Sequence, residues 1–259
     1  VKHKLSAKAP VWAGERYGHA RLRVAYVSAD FGEHPTSYLM AGLFEQHDRR
    51  HFEVYGIGLL PAQDSPMGHA VKAAFDHFVD VSHMSDLQVA QWLRAHEIDI
   101  AVDWMGYTKN NRTGIFMHRV APIQINYLGY PGSMGGACMD YILADDMLIP
   151  EERKHCYAEN VVYLPGSFQV NDDRRAGAER VPTRADYGLP QDGLVFCSFN
   201  GSHKLNPEFF AIWMRLLQQV PGSVLWLVDS GAVAMANLCS YAANHGVDPQ
   251  RLVWAPKRP

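Results

Sequence analysis

The densest run of reactive side chains is Ser28-Ala29-Asp30-Phe31-Gly32-Glu33-His34-Pro35-Thr36-Ser37, directly after the apolar stretch Leu22–Val27. A buried strand that ends this way presents ionisable and hydroxyl groups at the C-terminal edge of a sheet, where α/β proteins keep ligand-facing residues. Imidazole is the side chain suited by type to general acid–base work, which makes His34 a candidate, and Asp30, four residues earlier, has the reach to orient it. The same residues also make an ordinary helix start, with Asp30 and Thr36 as caps and His34 filling a surface turn, and spacing alone leaves both readings open.

Three more runs follow strand-like segments. Met105-Gly106-Tyr107-Thr108-Lys109 comes after Ile98–Val102; its glycine, phenol, hydroxyl and ammonium suit a sugar or a phosphate, or else form a polar loop with a solvated lysine. Leu128-Gly129-Tyr130-Pro131-Gly132-Ser133 closes the next strand with glycines that let a ligand approach the backbone, although taken alone it is a turn. Phe199-Asn200-Gly201-Ser202-His203-Lys204-Leu205-Asn206-Pro207 leads into a helix, whose N-terminal amides, with the Lys204 charge, make a site for an anion such as pyrophosphate. A helix cap beside an incidental lysine is the alternative.

Other patterns exclude chemistries. His47 and His51 have the i,i+4 spacing of metal ligands but lie in the polar run Gln46–His51, which reads as a solvated loop. No D-x-D follows a strand, since Asp145 and Asp146 are adjacent, so a divalent metal holding a nucleotide is not indicated. Cys138, Cys156, Cys197 and Cys239 lack paired spacing and read as small buried apolar residues in a reducing compartment. A formal charge of -3 spread over interspersed acids and bases gives no basic stripe, which argues against nucleic acid as a partner. No apolar run reaches the roughly 20 residues of a membrane span, so the expectation is a soluble, cytoplasmic protein with no membrane partner.

The elements that must position these runs alternate between strand and helix. Candidate strands are Leu22–Val27, Phe52–Ile57, Ile98–Val102, Ile123–Leu128, Tyr141–Leu143 and Val161–Leu164. Helices are expected after Pro35 and from a Ser85 cap. The alternation lapses in the polar stretch Asn171–Thr183 and resumes with strand Leu194–Phe199, a helix capped by Asn206, strand Val224–Val228, a helix near Val233–Asn244 and strand Leu252–Trp254. The expected fold is therefore α/β with two Rossmann-like domains. Residues 1–20 are expected as a linker, 21–170 as the first domain, 171–186 as a second linker and 187–259 as the start of the second domain. The valine at position 1 and the stop at Pro259, just after a strand, add the expectation of a fragment whose second domain is truncated.

Taken together, the segments RLRVAYVSADFGEHPTSYLM (Arg21–Met40), MGYTKNNR (Met105–Arg112), RVAPIQINYLGYPGSMGGACMDYILAD (Arg119–Asp145), YGLP (Tyr187–Pro190), FCSFN with His203-Lys204 after it, and VPGSVLWLV (Val220–Val228) resemble the catalytic region of the protein O-linked N-acetylglucosamine transferases, most closely the bacterial relatives of the animal enzyme. The resemblance implies a GT-B fold and an inverting, metal-independent transfer of N-acetylglucosamine from UDP-GlcNAc to Ser/Thr hydroxyls, with no cofactor. It implies tetratricopeptide repeats before this segment and the rest of the nucleotide-sugar pocket after it. Carried over by position, His34 matches the family's candidate general base, Asp30 a proton-relay aspartate, and Lys204 the lysine that neutralises the leaving diphosphate. Thr36, Tyr107, Lys109, Leu128 and Pro131 match residues lining the sugar and acceptor side. Glu33 stands where the animal enzymes have asparagine, and His203, a further candidate substrate contact, where they have tyrosine. Whether His34, Asp30 or a donor phosphate takes the proton stays open, and the alternatives to the whole reading are a fucosyltransferase using GDP-fucose and a non-catalytic scaffold.

Overall fold

The computed structural model describes residues 8–61, 63–136, 138–174, 177 and 180–256. The chain divides into two compact units, Val1–Arg175 and Ala176–Pro259.

In the first unit the strands are β1 (Leu22–Ser28), β2 (Phe52–Gly58), β3 (His77–Asp80), β4 (Ile100–Asp103), β5 (Ile123–Asn126), β6 (Tyr141–Ala144) and β7 (Asn160–Tyr163). They form one parallel sheet in the order β3-β2-β1-β4-β5-β6-β7. The order reverses at β1, so β1 and β4 are neighbours that feed opposite directions, and the crevice above their C-terminal ends is where such folds bind ligands. Period-2 alternation sends the strand side chains to two apolar layers. Ala25, Val27 and Ala101 face Val89, Ala90 and Leu93 of helix α3 (Asp86–Ala95), whereas Val24, Tyr26 and Val102 face Met40, Ala41 and Phe44 of helix α1 (Pro35–Gln46) and Val71 of helix α2 (Pro66–Ala73).

The helix starts follow local sequence chemistry. Ser85 and Gln88 form a reciprocal capping box on α3, with Ser85 Oγ accepting from the Gln88 amide at 3.3 Å and the Ser85 amide donating to Gln88 Oε1 at 2.8 Å. On α1 the capping residue is His34, not Asp30 or Thr36, with Pro35 at the first helical position. Residues 11–19, expected as linker, bond to the first unit: the Val11 and Trp12 amides donate to the His118 and Arg119 carbonyls, and His19 bridges Asp99 at 2.9 Å and Glu97 at 3.0 Å. Residues 1–7 of that expected linker, and 175, 176, 178 and 179 of the next, lie outside the described residues.

The second unit holds a parallel sheet of β8 (Val195–Ser198), β9 (Val224–Val228) and β10 (Leu252–Ala255), with helices α4 (Pro207–Gln219) and α5 (Ala232–Asn244). Its own core joins Phe210, Met214 and Leu217 of α4 to Leu225 and Leu227 of β9 and to Ala242 of α5. Both units are thus α/β and Rossmann-like. Among the described residues no helix is long and apolar enough to cross a membrane.

Candidate active site

Three neighbouring strands, β1, β4 and β5, deliver their C-terminal loops to one cavity of about 310 Å³ lined by Asp30, His34, Thr36, Thr108, Lys109, Asn110 and Gly129. That volume lies at the small end of ligand sites, which run from about 300 to 1,000 Å³.

The β1 loop is knit from within. The Asp30 amide donates to Ser28 Oγ at 3.0 Å, the Gly32 amide to the Asp30 carbonyl at 2.9 Å and the His34 amide to the Gly32 carbonyl at 2.7 Å, while Ser37 Oγ donates to the Asp30 carbonyl. Phe31 turns inward and meets the rings of Phe44, Phe75, Phe78 and Trp104, the nearest of them 5.0 Å away between centroids. With that ring held in the core, Asp30 and His34 on either side of it border the cavity. Glu33 ties the loop to the start of α2: its amide donates to Gln63 Oε1 at 2.8 Å, and its carboxylate accepts from the Met67 amide at 3.3 Å and from the Tyr38 hydroxyl.

Among the described residues the hydrogen bonds of the His34 ring run through Nδ1, which lies 2.8 Å from Thr36 Oγ1, 3.4 Å from the Thr36 amide and 3.4 Å from Asp30 Oδ2. Burial pushes the Asp30 carboxyl above its ordinary range, and the His34 ring and a hydrogen bond from the Thr36 side chain pull the other way. A Thr36 hydroxyl that donates to Asp30 has its lone pairs free to accept from Nδ1–H, so the three side chains form a chain that leaves Nε2 of His34 basic. The opposite tautomer, with Nδ1 accepting from the Thr36 amide, would make Nε2 a donor. The two tautomers correspond to the two roles open for His34, base and orienting group.

The β4 loop starts at Asp103, whose Oδ1 accepts from the Met105 amide at 2.9 Å and the Gly106 amide at 3.1 Å. Thr108 Oγ1 then donates to the Met105 carbonyl at 3.0 Å, and Arg112 fastens the far end to Asp86 at 2.9 Å. Lys109 reaches the cavity with the side chains beside it, Thr108 and Asn110. Tyr107 does not line it; its hydroxyl donates to the Met134 carbonyl at 2.6 Å and its ring meets Tyr130 edge-on at 5.5 Å, so it latches the β4 loop to the β5 loop.

In the β5 loop Leu128 has φ 69°, an uncommon conformation for a branched side chain, and packs into the core on the α1 side. Gly129, not Leu128 or Pro131, borders the cavity, and Pro131 is exposed. A Cβ on Gly129 would collide with the Trp104 carbonyl oxygen, so glycine is what lets the β5 loop lie against the β4 loop. Glu159, buried before β7, accepts from Ser133 Oγ at 2.8 Å and from the Met134 amide at 2.6 Å and so fixes the end of this loop.

Sequence reasoning passed over Asp103 and Glu159; it picked out the Thr108 hydroxyl and the glycines of the 128–133 run as able to meet a ligand but did not number Thr108, Asn110 or Gly129 among the site residues. A charged residue closing the apolar run Ile100–Val102 was the available signal for Asp103; Glu159 carries none, because its partners are 25 and 26 residues away.

In the second unit Lys204 and His203 are exposed on a short turn, with the Lys204 amide donating to the Gly201 carbonyl at 2.9 Å. Asn206 caps α4 through the Phe209 amide at 2.9 Å, and Pro207 occupies its first position. Lys204 therefore stands one turn before a capped helix N-terminus. Among the described residues no group of three or more His, Cys, Asp or Glu side chains stands close enough to hold a metal ion.

The family model described as Glycosyl transferase family 41 matches residues 3–179 and 173–259. A probable UDP-N-acetylglucosamine--peptide N-acetylglucosaminyltransferase SEC of Arabidopsis thaliana is 37% identical over 242 residues, 92% of this chain and 25% of the relative. The UDP-N-acetylglucosamine--peptide N-acetylglucosaminyltransferase of Caenorhabditis elegans is 25% identical, matching 98% of this chain and 32% of its own length. Among solved structures, a mutant of the Thermobaculum terrenum O-GlcNAc transferase superimposes with a TM-score of 0.82 at 27% identity, covering 98% of this chain and 47% of that one. The chain thus spans a quarter to a third of these two curated relatives and about half of the solved structure.

Proposed function

Because the chain belongs to glycosyl transferase family 41, we propose that it is part of an enzyme that moves N-acetylglucosamine from UDP-N-acetylglucosamine to serine or threonine hydroxyls of proteins, by a single inverting displacement that needs no metal. The observation that carries this reading is the gathering of Asp30, His34, Thr36 and Lys109 in one cavity over β1, β4 and β5. Its modest volume suits a sugar ring and an acceptor hydroxyl better than a whole nucleotide sugar. The printed activities of the relatives point to the same donor and to a peptide acceptor.

In this reaction the acceptor oxygen attacks the anomeric carbon as the bond to the diphosphate breaks. His34 Nε2, in the tautomer that the Asp30–Thr36 chain favours, takes the hydroxyl proton directly, or orients the acceptor while a donor phosphate oxygen takes it. Lys204 and the amides that open α4 stabilise the charge growing on the departing UDP. Metal independence rests on the absence of a D-x-D after any strand.

The test is an assay of the full-length protein with labelled UDP-N-acetylglucosamine and with GDP-fucose, using a Ser/Thr peptide and its Ala counterpart. Transfer from the UDP donor to the hydroxyl peptide alone is expected. Transfer of fucose, or of neither sugar, would overturn the reading.

A further inference from the structure

Below the cavity, at the last residues of β4 and β5, two buried oxygen atoms have no hydrogen-bond partner: Oδ2 of Asp103 and Oδ1 of Asn126. Asp103 and Asn126 are register partners on adjacent parallel strands, so both side chains leave the same face of the sheet with backbones roughly 5 Å apart. Asp103 is 3% exposed and Asn126 fully buried. The orientation of the Asn126 amide is fixed by its nitrogen, which donates to the Tyr130 carbonyl at 3.0 Å and the Gly132 carbonyl at 3.1 Å and leaves only its oxygen for the neighbour. Two buried, partnerless acceptors on register-paired residues cost free energy unless a proton is shared between them.

We propose that Asp103 is a positioning residue that works as a carboxylic acid, accepting from the Met105 and Gly106 amides through Oδ1 and donating from Oδ2 to Asn126 Oδ1. That bond joins the loop presenting Thr108 and Lys109 to the loop presenting Gly129, underneath the cavity they share. Its value to catalysis rests on the transferase reading above; the bond itself does not.

The surroundings favour the acid. The ionisable groups near Asp103 are the Tyr107 phenol on its own loop and the Cys138 thiol before β6, with Glu159 beyond them. Burial raises both the phenol and the thiol, the latter to about 11, so both stay neutral beside Asp103, and neither kind of group can carry a positive charge. Among the described residues no cation pairs with Asp103. Burial lifts its carboxyl to about 6 despite the two backbone amides. A carboxyl raised on folding means that the folded chain holds the proton more tightly than the unfolded one. The bond is therefore complete at mildly acidic pH and is lost as pH rises through about 6, above which the chain carries a buried, unneutralised carboxylate.

Asparagine at this position would accept from both amides and donate to Asn126 at any pH. Thermal unfolding of the whole chain and of Asp103→Asn between pH 4.5 and 8 tests this. The variant should melt roughly 5 °C higher than the parent above pH 7, with the gap closing toward pH 4.5. Asp103→Ala, which loses the acceptor as well, should melt below both; if it fails to fold, the asparagine comparison stands by itself. An asparagine variant that melts at or below the parent at pH 8, or a gap independent of pH, overturns the proposal. In the full-length protein Asp103→Asn should retain sugar transfer and flatten its pH profile near 6. Loss of transfer in that variant, with the melting gap intact, would strike out only the positioning role; an inactive parent would instead count against the transferase reading.

Discussion

His34 occupies two positions at once: its backbone ends the β1 loop as the cap of α1, and its ring borders the cavity. Replacing it separates the chemical roles. If Nε2 takes the acceptor proton, His34→Ala and His34→Asn in the full-length transferase should both lose about 10²–10⁴ in kcat with the donor KM little changed. Asparagine keeps a donor and an acceptor without basicity, so recovery of most of the rate by His34→Asn would assign the ring to orientation. We expect both variants to fall, because Nδ1 lies closer to the Thr36 hydroxyl, at 2.8 Å, than to the Thr36 amide, at 3.4 Å, which suits the tautomer in which Nε2 is basic. Lys204 calls for a different measurement. A cation that acts on a leaving group matters more in the transition state than in binding, so Lys204→Ala should lower kcat roughly 100-fold, about 3 kcal/mol, and leave the donor KM nearly constant. A raised KM with normal kcat would assign the lysine to ground-state binding.

At the scale of elements, the site depends on loops that press together. Gly129→Ala would drive a methyl group into the Trp104 carbonyl and should cost about 1–3 kcal/mol of stability, read as a lowered melting temperature. An unchanged melt would mean that the loops have slack. Such contacts were not legible in the sequence, where Gly129 reads as part of a turn or as room for a ligand, not as the seat of the Trp104 carbonyl. What was legible follows from local pattern. The apolar runs gave β1, β2, β4, β5, β6 and β7, and Ser85 and Asn206 mark helix starts through side-chain chemistry that acts within three residues. The short edge strand β3, His77–Asp80, and helix α2 went unseen because their segments mix polar and apolar residues without a clean period. Leu128 was expected inside a strand, but β5 ends at Asn126 and the backbone turns left-handed two residues later. For the site, the runs at strand ends contain Asp30, His34 and Lys109, which the structure brings to one cavity, whereas Glu159 acts through partners 25 and 26 residues away that only folding brings near.

For the whole molecule, the separate cores of the two units predict that calorimetry of the chain will resolve more than one transition. A single transition with equal calorimetric and van't Hoff enthalpies would refute that. His19 identifies which transition belongs to the first unit. Burial lowers its imidazole, but hydrogen bonds to Asp99 and Glu97 outweigh this and raise it above the usual 6.5. The stabilisation is therefore complete below about pH 6.5 and drains away as pH climbs through the raised value. His19→Gln should lower the first unit's transition more at pH 6 than at pH 8.5 and leave the other in place. Equal losses at both pH values would show that His19 contributes by packing alone.

Phe31 has a consequence for how such a protein changes over generations. The ring that sits between Asp30 and His34 in the chain is moored among Phe44, Phe75, Phe78 and Trp104, which come from α1, the α2–β3 turn, β3 and the end of β4. Drift at any of these aromatic positions moves the mooring, and with it the spacing of a carboxyl and an imidazole that lie on either side of Phe31 in the chain. A screen for lost activity would therefore recover substitutions at Phe75 and Phe78 beside those at His34, and would misread as remote control what a single buried ring transmits. The same linkage limits inheritance: substitutions at the exposed rim of the cavity, such as at Asn110, leave the anchor untouched, whereas those in the β1 loop act on a ring shared with the core.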